Sequence, residues 1–177
     1  MNQREYYDSH AVQFDKGALF ARENRNHLQK IKAISDMLGL EVLDGKKCRL
    51  LEVGTGTGIH ARYIMDNFKN VEYVGVDISR GMLLEAKKRL PGCRTLLAGD
   101  GENLPFKAGS FDSVYISGSL HHFGDPKKGL YELVRVVKQG GNLLIMEPYW
   151  LFPTNFLAGL TNKAERGIFN ITEKMLC

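Results

Sequence analysis

The stretch "LLEVGTGTGIH", Leu50–His60, decides how this chain is read. An apolar run carries an acid, Glu52, and three glycines, Gly54, Gly56 and Gly58, follow at alternate positions. A short apolar run bounded by glycines suits a buried strand, and residues without a side chain let the backbone bend tightly and approach a ligand. A strand, a glycine turn and a helix together form the first unit of an open parallel sheet, whose ligands bind beyond the carboxyl ends of the strands.

Outward from that unit the pattern repeats. Upstream, Met1–Leu43 reads as helical, with Leu28, Ile31, Ile34, Met37 and Leu38 at helical spacing, until Asp44-Gly45 breaks it. Downstream, the periodicity predicts a helix over Ile59–Phe68, a strand over Val71–Asp77 and a helix over Arg80–Leu90 with Met82, Leu83, Ala86 and Leu90 on one face. Strands over Thr95–Ala98 and Ser113–Ser117, a helix over Lys128–Val137, a Gly140-Gly141 turn and a fifth strand over Asn142–Glu147 complete the series. Such alternation predicts an α/β fold, a Rossmann-like parallel sheet with helices on both faces. Three regions result: an N-terminal helical cap (1–47), a sheet core (48–148) and a C-terminal lid segment (149–177).

The bulk numbers narrow the function classes. At 177 residues, with 44% hydrophobic and 25% charged positions, the chain has the composition of an ordinary globular domain. No apolar run approaches the roughly 20 residues that span a bilayer, and the polar start lacks a signal-peptide pattern, so a cytoplasmic location is expected. Cys48, Cys93 and Cys177 are far apart and form no C-x-x-C pair, which predicts reduced thiols and no metal site. The net charge of +4 is mild and its basic doublets are scattered, which argues against a nucleic-acid partner.

The loop chemistry is more selective. A dinucleotide fingerprint, G-x-G-x-x-G/A, is broken here by Ile59. Glu52 would repel a pyrophosphate and suits a ligand that brings an ammonium group, because a buried carboxylate needs a partner. Asp77 ends the second predicted strand about twenty residues on, where such folds place the acid that accepts ribose hydroxyls. Its other reading is an N-cap for the following helix, with Ser79 as competitor. The loop is therefore expected to meet a ribose and an ammonium group but no phosphate.

"LLEVGTGTG", "VGVDIS", "LAGDGENLPF", "GSFDSVYISGSLHHF" and "ELVRVVKQGGNLLIMEP" follow one another over Cys48–Pro148. In this order they resemble the class I S-adenosylmethionine-dependent methyltransferases, most of all the small-molecule branch that includes the ubiquinone/menaquinone-type enzymes. The resemblance implies that Glu52, Gly54, Thr55, Gly56 and Gly58 hold the methionine end of the cofactor and Asp77 its ribose. It further implies that Ile78 and Met82 pack on the adenine, that Asp100 accepts the exocyclic amine, and that Gly101 faces the ring edge. Asp100-Gly101 also reads as a plain turn. Ser117 would lie where the cofactor opens toward the acceptor, with His121 and His122 as candidate bases; adjacent side chains diverge, so one of the two is expected to face the site. Asp112 and the helix from Glu132 read as scaffold. "YYDSHAVQFD", Tyr6–Asp15, resembles a helix that folds over the cofactor, with Tyr7 and Phe14 as an aromatic lid.

The function implied is methyl transfer to a small-molecule oxygen, nitrogen or carbon acceptor, leaving S-adenosylhomocysteine. Ile59 and Glu52 argue against the alternative of an NAD-dependent oxidoreductase, and the scattered basic residues against an RNA substrate; a non-catalytic cofactor-binding or scaffolding subunit is the other reading. The family's sheet has seven strands, whereas only a short tail, with Asn170 or Thr172 as a helix cap, follows the fifth here. That predicts a fragment, or a subunit whose exposed fifth-strand edge is covered by a partner chain or by a dimer.

Overall fold

The computed structural model describes residues 2–14, 25–40 and 46–147. The expected segment 149–177, with its caps at Asn170 and Thr172, lies outside the described residues. The elements are α1 (Gln3–Phe14), α2 (Arg25–Met37), β1 (Cys48–Val53), α3 (Ile59–Asn67), β2 (Val71–Asp77), α4 (Arg80–Arg89), β3 (Leu96–Ala98), β4 (Phe111–Ser117), a 3-10 turn (Leu120–His122), α5 (Pro126–Val136) and β5 (Val137–Met146).

The strands form one sheet in the order β3-β2-β1-β4-β5, and every pairing is parallel. β1 is central and buried along most of its length, as expected of a strand covered on both faces. Alternate residues feed two cores. Leu50, Tyr73 and Tyr115 pack on one face with Ile34 and Leu38 near α2, Ala61 and Ile64 of α3, and Leu83 and Ala86 of α4. Leu51, Val53, Val74, Val76, Val114 and Ile116 pack on the other with Leu133 and Val136 of α5. Helices therefore cover both faces.

β4 begins two residues before the expected Ser113, smaller shifts occur at other element ends, and two further boundaries move for identifiable reasons. α5 begins at Pro126 rather than Lys128 because the Asp125 carboxylate caps it, accepting from the Lys128 amide at 3.1 Å, and proline suits a first helical position. β5 begins at Val137 rather than Asn142: Phe111 pairs with Val137 and Ser113 with Asn142, so the predicted Gly140-Gly141 turn is a bulge within the strand. Gly140 takes φ +74° there, and Asp112 ties the bulge down by accepting from Lys138 Nζ at 2.6 Å and the Arg49 amide at 2.9 Å. That is the scaffold role expected of Asp112.

Candidate active site

The order of the strands reverses at β1: β2 and β3 lie to one side, β4 and β5 to the other. The carboxyl ends of β1 and β4 thus flank the crevice that open α/β sheets use for ligands. Its floor is the glycine loop. Gly54, Gly56 and Gly58 all take positive φ, and a Cβ on Gly54 would lie 2.2 Å from Ser119 Oγ, whereas one on Gly56 would meet nothing within 4 Å. Four of the loop's amides are already engaged within the protein. Those of Gly54 and Thr55 donate to the Val76 carbonyl, Gly58 to the Thr55 carbonyl, and Gly56 to Asp77 Oδ2 at 2.7 Å. A phosphate cradle needs such amides pointed at the ligand, so this loop is preorganised for a ligand that approaches without a phosphate.

Asp77 ends β2 beside the loop. Its Oδ1 accepts from the Ser79 amide at 2.8 Å, and Ser79, not Asp77, caps α4 by accepting from the Met82 amide at 3.0 Å. Burial raises the Asp77 carboxyl to about 6 despite the Ser79 and Gly56 amides, and the Glu52 and Asp8 charges add to the rise. The neighbouring Ile78 is 44% exposed, an uncovered apolar side chain at the crevice edge, while Met82 is buried and offers little surface to a ring.

Glu52 is only 2% exposed and already engaged: it accepts from the Tyr73 hydroxyl and lies 3.3 Å from His60 Nδ1. Tyr73 and His60 are its partners within the protein, and a carboxylate has lone pairs for a further donor, so the ammonium role expected of Glu52 stands as a proposal. Burial together with the Glu52 charge pushes the Tyr73 and Tyr115 phenols well above their ordinary range. Thr55 joins this group through its hydroxyl, 3.2 Å from that of Tyr73.

Asp100 follows β3 in the exposed loop. Its Oδ1 accepts from the Glu102 amide at 2.8 Å and its Oδ2 from Asn103 Nδ2 at 3.2 Å, so it builds the plain turn that was the other reading of Asp100-Gly101. Gly101 is buried against Phe123, whose ring would lie 2.3 Å from an added Cβ; the same ring also abuts Gly129. Ser117, at the end of β4, has a buried hydroxyl with no hydrogen-bond partner among the described residues.

Geometry separates the two histidines. His121 is buried, and its Nδ1 donates to Glu147 Oε2 at the end of β5. Glu147 also accepts from the amides of Ser119 and Leu120 at 3.0 Å each. Burial alone would raise Glu147, but His121 and those amides hold it below the usual carboxylate range. His122 is half-buried, and its Nε2 shares a hydrogen bond with the Tyr7 hydroxyl at 2.7 Å.

Tyr7 reaches His122 because α1 crosses the crevice. On the far bank Asp8 Oδ1 accepts from Ser79 Oγ at 2.7 Å and from the Gly81 amide at 2.8 Å, at the start of α4. Those two hydrogen bonds lead the influences that lower the Asp8 pKa. A Cβ on Gly81 would sit 2.9 Å from the Asp8 backbone, so the helices touch there. Sequence reasoning missed Asp8, Tyr73, His60 and Glu147. Glu147 alone carried a signal, an acid closing an apolar strand as Glu52 and Asp77 do; the others act through contacts distant along the chain.

A central parallel sheet whose glycine loop and terminal carboxylate meet at the switch point defines an open α/β domain of the kind that takes ligands there. Residues 51–145 match the model of the methyltransferase domain family, and the chain belongs to that family. It is similar to a demethylmenaquinone methyltransferase of Renibacterium salmoninarum, 41% identical over 99 residues, which are 56% of this chain and 40% of that protein. Among solved structures it is similar to S-adenosylmethionine-bound CalS10, an amino pentose methyltransferase from Micromonospora echinaspora. There the TM-score is 0.64 at 26% identity, covering 80% of this chain and 58% of the other. The [4+2]-cyclase SpnF shares the fold, with a TM-score of 0.67 at 20% identity over 83% of this chain and 60% of its own. The chain spans about two fifths of the length of the demethylmenaquinone methyltransferases it matches first. No described helix is long and apolar enough to cross a membrane, and no group of three or more His, Cys, Asp or Glu that could hold a metal is found among the described residues.

Proposed function

We propose that this domain binds S-adenosylmethionine at the β1 and β2 ends and transfers its methyl group to a small-molecule oxygen, nitrogen or carbon acceptor, leaving S-adenosylhomocysteine. The observation that carries the reading is the pairing of Asp77, a clamped carboxylate, with the uncovered Ile78 beside a loop whose amides are already used. That set fits a nucleoside with free ribose hydroxyls and no phosphate. Asp77 takes the ribose, Ile78 packs on the adenine, and the Gly54–Gly58 backbone with Thr55 lies along the methionine portion. Met82 supports Ile78 from a buried position, while Asp100 and Gly101 set the loop at the ring edge and Ser117 offers its hydroxyl near the reacting end.

When bound, the sulfonium supplies an electrophilic methyl group; the protein need only align an acceptor lone pair with the carbon–sulfur bond and exclude water. The relatives named demethylmenaquinone methyltransferases make a quinol the first acceptor to try. A cytoplasmic location suits the free Cys48 and Cys93. A second copy or a partner chain paired along β5 is the expected assembly, and light scattering tests it. The fold shared with a cyclase keeps a cofactor-binding role without methyl transfer as the second reading.

Calorimetry with S-adenosylhomocysteine tests the binding. The expected result is one site in the wild type and loss of roughly tenfold or more in affinity for Asp77→Ala, as befits lost hydrogen bonds to a charged group. Equal affinity in the two proteins rejects the assignment.

A further inference from the structure

Resting on that methyl-transfer reading, we infer that Tyr7 is the acceptor-facing proton-handling residue of the site, with His122 as the base behind it. Four observations converge. The Tyr7 hydroxyl and His122 Nε2 are 2.7 Å apart, so the ring nitrogen is occupied by the phenol and a proton leaving an acceptor reaches the imidazole through the phenol oxygen. Tyr7 lies in an aromatic row, its ring 5.2 Å from that of Tyr6 and 6.0 Å from that of Phe14, and this row faces the β4 end from α1. His122 is backed by the His121 ring at 3.8 Å. His121 in turn is fixed by Glu147, which also accepts from the Ser119 and Leu120 amides of the same turn. The imidazole is thus held by a rigid turn and the phenol by a helix from the opposite end of the domain.

The step balances. An acceptor lone pair forms the new bond to the methyl carbon as the carbon–sulfur bond breaks, its electron pair going to sulfur. The acceptor proton moves to the Tyr7 oxygen while the Tyr7 proton moves to His122 Nε2. The positive charge that leaves the sulfonium is matched by that of the imidazolium, which later loses its proton to water. The titratable groups around His122 are Tyr7 from α1, His121 alongside and Glu147 behind His121, with Glu102 holding the Gly124 and Asp125 amides just past the turn.

Three variants test the relay. Tyr7→Phe removes the hydroxyl; His122→Gln keeps an acceptor for that hydroxyl but cannot take its proton; the double variant reports whether the two act as a unit. Each is assayed for S-adenosylhomocysteine binding by calorimetry, and for turnover from pH 5.5 to 9 against a short-chain demethylmenaquinol analogue, histamine and an amino sugar. We expect either single variant to lower kcat by roughly 100-fold and to abolish its acid limb, with binding of the homocysteine product little changed and the double variant no worse than the singles. An unchanged kcat or pH profile in folded His122→Gln overturns the relay and leaves Tyr7–His122 as a lid contact. Wild-type protein that binds S-adenosylhomocysteine yet methylates none of the three acceptors overturns the methyl-transfer reading and the relay with it.

Discussion

On the proposed reading, a single carboxyl at Asp77 ties ligand binding to pH. Its pKa is raised to about 6, while the unfolded chain titrates at its ordinary 3.8, so between those values the folded form holds more protons. Stability therefore falls as pH rises from about 4 to about 6, by about 3 kcal/mol at most, and Asp77→Asn flattens that part of the curve measured by urea denaturation. Ribose hydroxyls donate best to the ionised form, so affinity for S-adenosylhomocysteine is expected to weaken as pH drops below 6 in the wild type and to stay level in Asp77→Asn. A wild-type affinity independent of pH from 5 to 7.5 contradicts the assignment. The acid itself was legible in the sequence as the last residue of a predicted strand, and so was Glu52. What burial does to them was not: Tyr73 and His60, which occupy Glu52, come from β2 and α3, and no local pattern announces that pairing.

Elements were more legible than their joints. Apolar runs and glycines located each strand from β1 to β4, because parallel central strands are apolar on both faces. The joints depended on tertiary competition, as where Asp125 caught α5 two residues early and the Asp112 contacts turned a predicted turn into a bulge. The docking of α1 could be guessed only as a lid, since its bond to α4 rests on one aspartate and one glycine. Gly81→Ala, which places a methyl 2.9 Å from the Asp8 backbone, is expected to lift α1 without touching Asp77 or His122. Hydrogen exchange should then show faster exchange across Gln3–Phe14 and unchanged protection in β1; equal α1 protection would mean the contact is not a latch. At the opposite bank Glu147→Ala removes the buried carboxylate that accepts from His121 and from the Ser119 and Leu120 amides, a loss expected to cost about 3 to 5 kcal/mol in denaturant unfolding.

At the scale of the whole molecule, one crevice joins both halves of the sheet, so a ligand bound there stabilises the domain as a unit. S-adenosylhomocysteine at a hundred times its dissociation constant should add about 2.7 kcal/mol of stability and raise the melting temperature, while NADH, whose pyrophosphate meets a loop with four amides already engaged, should raise it little. Equal shifts for the two ligands would contradict the phosphate-free reading of the loop. The sequence foresaw this choice, through Glu52 and the missing third glycine of the fingerprint, but for an incomplete reason. On the proposed reading the discrimination also rests on amides turned toward Val76, Thr55 and Asp77. The alternation predicted a parallel sheet, but the order β3-β2-β1-β4-β5, with its reversal beside the glycine turn, is set by tertiary packing and was not legible in the strand pattern.

On the proposed reading, α1, fastened at Ser79 and Gly81 on one bank and at His122 on the other, is a single gatekeeper for cofactor and acceptor. Traffic through it then has a clock of its own. In stopped-flow mixing, the observed rate of S-adenosylhomocysteine association should level off at high ligand concentration, at the rate with which the helix swings clear, and Gly81→Ala should lift that ceiling.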